Sequence, residues 1–156
     1  MIQLKQILLP VDFSECSGEA TKYACAFTEQ FQAELHLLHV VEQIGSTIAE
    51  TTAEMASAFE DYLEMADAKA LAKLGQVLEP NWVEGQQVTL ATRLGSPFVN
   101  IIEYTKEHQI DLIVIGTHGR SGLSHVLIGS VAERVVRMAP CPVLTVRPHG
   151  HQFIES

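Results

Sequence analysis

The sequence Asp111-Leu-Ile-Val-Ile-Gly-Thr-His-Gly-Arg-Ser-Gly-Leu-Ser-His-Val-Leu-Ile-Gly-Ser130 holds a short apolar run, a loop rich in glycine and the predicted start of a helix. A buried strand that leads into such a loop and then a helix is typical of phosphate sites, because the loop and the first helical turn present unpaired backbone N–H groups. We expect Gly116 and Gly119 to let the backbone turn with its N–H groups inward. Gly129 is expected to let a ligand approach where no Cβ intervenes, and Ser130 to cap the helix.

The spacing of these glycines differs from that of other phosphate-binding loops. It reads Gly-x-x-Gly, then nine residues, then Gly-Ser. No Gly-Lys-Ser/Thr follows, as it does in a Walker A loop, and the glycines are not packed into six residues, as they are in the dinucleotide fingerprint. The loop therefore predicts phosphate binding of a different type.

The composition predicts one soluble domain and excludes some functions. The chain has 156 residues, 47% of them hydrophobic and 19% charged, with a net charge of −9. The negative charge argues against non-specific nucleic-acid binding, which needs a basic surface. Because no apolar stretch of about 20 residues and no leader pattern occurs, we expect a cytoplasmic protein with no membrane partner. The three cysteines, Cys16, Cys25 and Cys141, match neither a zinc site nor a disulfide framework and are expected to be reduced.

Apolar runs and amphipathic segments alternate along the chain. Strands are predicted at Ile7–Val11, Glu34–Val41, Gln87–Thr92, Asp111–Ile115 and Cys141–Val146. Helices are predicted from Ser14 or Ser17 to about Phe31, from Ala53 to Leu78, from Ser96-Pro97 to near His108, and from Val131 to Met138. This alternation predicts a single-domain α/β fold, a doubly wound parallel sheet with helices on both faces. Residues 1–148 are expected to form the domain and residues 149–156 a flexible C-terminal tail.

The longest predicted helix has an apolar stripe at helical spacing, and Met55 within it is expected to pack in the core or in a groove. The members of the stripe are Met55, Phe59, Leu63, Ala66, Ala70 and Leu74.

Ligands of open parallel sheets bind beyond the carboxyl ends of the strands, where the winding of the chain reverses. Two loops are candidates for that place: Asp12-Phe-Ser14 after the first strand and the glycine loop after the fourth. If those strands are neighbours, one nucleotide could contact both loops.

The chain resembles the universal stress proteins, in the branch that keeps the nucleotide motif. The resemblance is carried by Lys5–Ser14, His39–Val41, Asp111–Gly122, Leu127–Val136 and Pro140–Val146, and so covers nearly the whole chain. It implies a five-stranded parallel sheet with the order 3-2-1-4-5. It also implies an adenine nucleotide as cofactor, ATP or AMP, with or without Mg2+.

The resemblance further implies which positions contact that nucleotide. Near adenine and ribose it places Pro10, Val11, Asp12, Val40, Ile115 and Gly116, and at the phosphates Gly119, Gly129, Ser130 and Val131. Ala132 stands where nucleotide-binding relatives can carry a hydroxyl residue, so one phosphate contact is absent from this chain.

Several polar residues leave a structural role open beside the functional one. Asp12 could bind a ribose hydroxyl or magnesium, or could only cap the following helix. His118 and Arg120 could contact phosphate, Arg120 as a bidentate partner, or could face solvent. His36 and His39 lie three apart on a strand and face opposite sides, so they cannot chelate one metal ion together.

Three functions remain open on the sequence alone: a nucleotide-binding stress or regulatory protein acting as a homodimer, a slow ATPase or phosphotransfer enzyme, and an interaction module that binds no nucleotide. Fast phosphoryl transfer normally needs a lysine at the phosphates and a metal-holding acid, neither of which the motif provides, so hydrolysis is expected to be very slow at most. The homodimer is expected to pair the fifth strands through Val143, Leu144, Thr145 and Val146, an apolar sheet edge without charge.

Overall fold

The computed structural model describes residues 1–43, 52–119 and 128–154. Its strands are β1 (Gln6–Pro10), β2 (Glu34–Val41), β3 (Gln87–Leu94), β4 (Leu112–Gly116) and β5 (Val143–Val146). Its helices are α1 (Glu15–Phe31), α2 (Ala53–Leu74), α3 (Pro80–Val83), α4 (Pro97–Glu107) and α5 (Ser130–Met138).

The five strands form one parallel sheet in the order β3-β2-β1-β4-β5, which confirms the predicted topology. The chain starts in the middle of the sheet, at β1, builds outward through β2 to β3, and then returns to β4 on the other side of β1. The carboxyl ends of β1 and β4 are therefore neighbours at the point where the winding reverses.

Helices cover both faces of the sheet, as predicted. On one face, α1 lies over the centre and α2 over β2 and β3, around a core that includes Leu9, Leu37 and Val114. On the other face, α4 and α5 pack against each other and around a core that includes Tyr104 and Ile113. The central strands are apolar on both faces because both faces are buried.

The starts of two helices follow from local sequence signals. Of the two serines that could cap α1, Ser14 is the one that does so, because its hydroxyl accepts a hydrogen bond from the Ser17 N–H at 3.2 Å. At α4, Ser96 is the N-cap residue and Pro97 occupies the first turn, where its missing N–H costs no hydrogen bond.

Helix α2 ends at Leu74 and not at the expected Leu78. Gly75, a poor helix former, is the C-cap residue. The chain then continues in tight turns, in which the N–H groups of Gln76 and Val77 donate to carbonyls three residues earlier. Leu78 reaches the core from this turn, and the short helix α3, which the sequence analysis missed, follows it.

The apolar stripe of α2 is only partly buried. Ala70 and Leu74 are buried and Phe59, Leu63 and Ala66 are half-buried, but Met55 is 58% exposed. Met55, which was expected to pack in the core or in a groove, is therefore largely exposed at the first turn of α2.

The end of the chain contacts α1. The Tyr23 hydroxyl donates to the His151 carbonyl at 3.3 Å, and the Phe153 ring packs edge-on against Tyr23 with ring centres 5.1 Å apart. Ile154 packs on the core beneath α1. The flexibility expected of residues 149–156 stays a prediction.

Candidate functional site

A cleft of about 590 Å³ lies at the carboxyl ends of β1, β2 and β4, where the winding reverses. We call it the switch-point cleft. Its lining residues are Pro10, Val11, Asp12, Ser17, Leu38, His39, Val40, Val41, Glu42, Pro97, Ile101, Ile115, Gly116, Thr117, His118, Gly119, Gly129, Ser130, Val131 and Ala132. Every predicted site residue except Arg120 is among them, and Arg120 lies outside the described residues. Their contacts with a ligand stay predictions.

The first turn of α5 forms one wall of this cleft. The N–H groups of Ser130, Val131 and Ala132 have no acceptor among the described residues, since the first hydrogen bond of the helix runs from Glu133 N–H to the Gly129 carbonyl at 2.9 Å. Unpaired N–H groups at a helix N-terminus favour an anion. This wall can therefore hold phosphate.

The expectation that Ser130 caps α5 is wrong. Gly129 is the N-cap residue, Ser130 is the first residue of the helix, and no side chain of the described residues caps it. The Gly129 N–H is already used, because it donates to the Thr117 carbonyl. The N–H groups of the first helical turn are therefore not engaged by a capping side chain from residues 1–43, 52–119 or 128–154.

Gly116, Gly119 and Gly129 have no room for a Cβ, and none of them has a positive φ. A Cβ at Gly116 would lie 2.9 Å from both the Cys16 carbonyl oxygen and the Cys16 Sγ. One at Gly119 would lie 2.9 Å from Asp12 Oδ2, and one at Gly129 would lie 3.1 Å from the Thr117 carbonyl oxygen. Gly116 thus lets α1 approach β4, while Gly119 and Gly129 keep the loops of the cleft close together.

Asp12 has a structural role in its loop. Its Oδ1 accepts hydrogen bonds from the Ser14 N–H at 2.9 Å and from the Ser14 hydroxyl at 2.5 Å. The carboxylate therefore organises the turn into α1 but does not cap that helix, because Ser14 is its N-cap residue. Its Oδ2 lies beside Gly119 at the cleft, so a ligand contact remains open to that oxygen.

Two cleft residues, His39 and Thr117, were missed as site candidates. The His39 Nδ1–H donates to the Val11 carbonyl at 2.7 Å and ties the end of β2 to the end of β1. Thr117 is buried, and its hydroxyl lies 2.9 Å from His118 Nδ1. His39 lies near the end of β2 and Thr117 directly follows β4, and the carboxyl ends of these strands meet at the cleft. The strand order could therefore have identified both residues.

His36 lies outside the cleft, on the opposite side of β2 from His39. Its ring nitrogens lie 2.8 Å from the Tyr104 hydroxyl and 2.5 Å from Gln6 Oε1. Burial lowers the pKa of His36, and this effect outweighs the attraction of Glu34. The described residues contain no group of three or more metal-binding side chains.

No helix in the described part of the chain is long and apolar enough to cross a membrane.

Known proteins resemble this chain in sequence and in fold. A universal stress protein of Methanocaldococcus jannaschii is 37% identical over 145 residues, which cover 92% of this chain and 82% of the relative. The solved universal stress protein UspA from Lactobacillus plantarum is 29% identical, with a TM-score of 0.78, over 94% of this chain and 100% of that one. A solved universal stress protein in complex with cAMP is 18% identical, with a TM-score of 0.66, over 94% of this chain and 98% of that one, and shares the fold.

A family model covers most of the chain as well. The model of the universal stress protein family matches residues 3–147, a range that includes all five strands and the whole described lining of the switch-point cleft. Sequence, strand order and family model agree, and the chain belongs to the universal stress protein family.

Proposed function

We propose that this chain binds an adenine nucleotide, ATP or AMP, in the switch-point cleft and acts as a regulatory, stress-response protein. The observation that carries the proposal is the first turn of α5, whose N–H groups have no acceptor within the described part of the chain and line a cleft large enough for such a ligand. The solved family member in complex with cAMP supports an adenine nucleotide as the ligand class.

The proposed contacts divide along the cleft. Pro10, Val11 and Val40, at the ends of β1 and β2, would lie against adenine, with Asp12 Oδ2, Ile115 and Gly116 beside the ribose. The phosphates would meet the wall formed by Gly119, Gly129, Ser130 and Val131, with His118 and Arg120 as further contacts. Among these residues, Asp12 and Ser130 have the side-chain oxygens that would hold Mg2+.

Two measurements test this proposal. The first is the mass of the nucleotide that co-purifies with the protein. The second is calorimetric titration of ATP and AMP into the wild type and into Gly129→Val, whose Cβ would lie 3.1 Å from the Thr117 carbonyl oxygen, so that its branched side chain would push the loop after β4 away from α5. Gly85→Val is the matched control, because a Cβ there meets nothing within 4 Å and Gly85 lies outside the cleft. Undiminished affinity in folded Gly129→Val would refute the site.

We propose that bound nucleotide acts by shifting a conformational population and not by rapid turnover. The described cleft lining contains no lysine or arginine to stabilise charge at a γ-phosphate, and Asp12 Oδ1 is already engaged by Ser14. Hydrolysis measured with phosphate release should stay below roughly one turnover per second, the low end of ordinary enzymes. Faster turnover would favour the ATPase, and absence of nucleotide binding would favour the interaction module.

We propose that the protein is a homodimer joined through β5. This strand lies at the edge of the sheet, and Thr145 within it is exposed. The carbonyls of Pro142 and Val146 accept hydrogen bonds from the N–H groups of Ile113 and Thr117, so the even-numbered residues of β5 face β4. Because backbone groups of successive residues point to opposite sides of a strand, the Thr145 N–H points outward. An unpaired apolar edge of this kind favours association with another strand.

We also propose that the protein works in the cytoplasm. Its three cysteines are free thiols, as a reducing compartment requires. Fractionation of cells that make the tagged protein tests the assignment.

A further inference from the structure

A second, larger cleft of about 860 Å³ lies on the other side of the β1–α1 loop, between α1, the end of α2, α3 and the last residues of the chain. We call it the helix cleft, and its characteristic residues are Phe13, Gly18, Cys25, Lys73, Trp82 and Ile154. Its volume falls in the range of small-molecule sites. It is separate from the switch-point cleft, although Val11 and Ser17 border both.

The interior of the helix cleft is mainly apolar and includes two aromatic side chains. Phe13 and the partly buried Trp82 lie at different parts of the lining. Burial raises the pKa of the Cys25 thiol to about 12, so this residue contributes a neutral, apolar surface. Such a lining favours the flat apolar body of an aromatic ligand.

The lining carries two lysines, Lys22 and Lys73, and two carboxylates, Glu29 and Glu79, and one of the lysines lies beside an aromatic ring. Lys22 pairs with Glu19 at 2.7 Å, and the Glu29 carboxylate accepts a hydrogen bond from the Trp82 indole. Lys73 has no ion-pair partner among the described residues, and its Nζ lies 4.3 Å from the centre of the Phe13 ring. The cleft therefore presents an unpaired ammonium group beside an aromatic surface, which complements an aromatic anion.

The backbone at Phe13 is held in an uncommon conformation. Its φ is 63°, in the left-handed region that bulky residues rarely adopt. The ring packs at 4.6 Å from His39, a residue of the switch-point cleft, while Lys73 lies over the ring. Strained residues of this kind are concentrated at ligand sites. Here the strain directs the aromatic ring between the two clefts.

We propose that the helix cleft is a binding site for a small aromatic carboxylate, whose ring lies between Phe13 and Trp82 and whose carboxylate pairs with Lys73. The proposal does not rest on nucleotide binding in the other cleft.

The chain provides its own reporter for this site, because Trp82 is its single tryptophan. Anilinonaphthalene sulfonate, a fluorescent aromatic anion, serves as the probe. Bound in the helix cleft, it should quench Trp82 and emit by energy transfer when tryptophan is excited. Naphthaleneacetate should displace it more strongly than naphthaleneacetamide, which has the same ring system and no charge.

Two pairs of variants test the site. A Cβ at Gly18 meets nothing within 4 Å, so Gly18→Phe should fill the cleft without a backbone clash and weaken probe binding about tenfold or more. Gly85→Phe, equally open and outside the cleft, should bind as the wild type does. Lys73→Met should abolish the preference for the acid over the amide, about fivefold for one exposed charge pair. Lys106→Met, an exposed lysine of α4, should keep it.

Other results would overturn the proposal. A probe bound in the switch-point cleft would be displaced by ATP and would be insensitive to Gly18→Phe. If naphthaleneacetate and naphthaleneacetamide displaced the probe equally well from the wild type, Lys73 would not pair with the ligand carboxylate, and the proposal would be refuted. A change of oligomeric state in Gly18→Phe, seen by light scattering, would show that the cleft is a contact between copies of the chain. If Gly18→Phe does not fold, the preference for the acid over the amide, compared between Lys73→Met and Lys106→Met, still tests the proposal.

Discussion

Replacing Gly119 by alanine tests the close contact between the two loops of the switch-point cleft. The added Cβ would lie 2.9 Å from Asp12 Oδ2, whereas ordinary contacts begin at about 3.4 Å, so the carboxylate must retreat by roughly half an ångström. It cannot do so freely, because Ser14 holds its Oδ1 through two hydrogen bonds, at 2.9 and 2.5 Å. We therefore expect one of these bonds to be lost.

The size of the effect follows from that loss. A hydrogen bond to a charged group contributes about 2 kcal/mol, while alanine in place of glycine returns about 0.7 kcal/mol by restricting the unfolded chain. Gly119→Ala should thus lower the free energy of unfolding by about 1 kcal/mol. In an Asp12→Ala background the clash is absent, so the same substitution should be neutral or slightly stabilising. The coupling energy of this double-mutant cycle should be about 2 kcal/mol.

Urea unfolding at one fixed protein concentration, followed by circular dichroism, measures the four corners of the cycle. Gly150→Ala is the matched control, since its Cβ would make only ordinary contacts, at 3.6 Å and beyond, far from Asp12 in the sequence. ATP affinity should fall about tenfold in Gly119→Ala if Asp12 Oδ2 contacts the ribose. Equal costs in the two backgrounds would show that the Asp12–Gly119 contact is not the source of the effect.

Three further predictions concern the edge, the core and one buried histidine. Thr145→Pro removes the outward N–H of β5 and leaves the hydrogen bonds to β4 in place, so light scattering should find monomers. The control variant Thr145→Val should stay dimeric. A dimeric proline variant would exclude this interface. Ser17→Ala should raise the free energy of unfolding by about 1 kcal/mol, because the Ser17 hydroxyl is buried without a partner among the described residues; a loss of stability in urea would show that it is hydrogen-bonded in solution. The pKa of His36 is lowered from its ordinary 6.5, so the unfolded chain binds a proton first on acidification and stability should fall as the pH drops below about 6.5. The pKa of Glu34 is also lowered, from 4.5, so the stability that this carboxylate contributes is lost only at more acidic pH. His36→Gln should therefore flatten the plot of unfolding free energy against pH between pH 7 and 5. An unchanged slope would contradict the assignment to His36.

Local sequence patterns identified most of the secondary structure because they act over one or two turns. The bounds of β2 and the end of α1 were predicted to within a residue, whereas the start of α1 was left between two candidate serine caps, Ser14 and Ser17. The expected end of α2 was wrong because its apolar periodicity continues past Gly75, where the helix stops. Met55 in the first turn of the same helix was expected to pack in the core or in a groove, but periodicity does not show how far a helix extends beyond the sheet it covers.

The alternation of apolar runs and amphipathic segments predicted the fold class, and the strand order was implied by the resemblance to the universal stress proteins. The glycine motif predicted a phosphate-binding loop, because a phosphate site needs backbone N–H groups at a particular spacing. What each glycine does was decided only by tertiary structure. Gly116 makes room for Cys16 of α1 and Gly119 for Asp12, contacts between residues about a hundred positions apart in the sequence. The same holds for His39 and Thr117, which join the cleft because β1, β2 and β4 end side by side. The helix cleft has no motif at all: its aromatic and charged residues come from α1, α2, α3 and the chain end, and only packing brings them together.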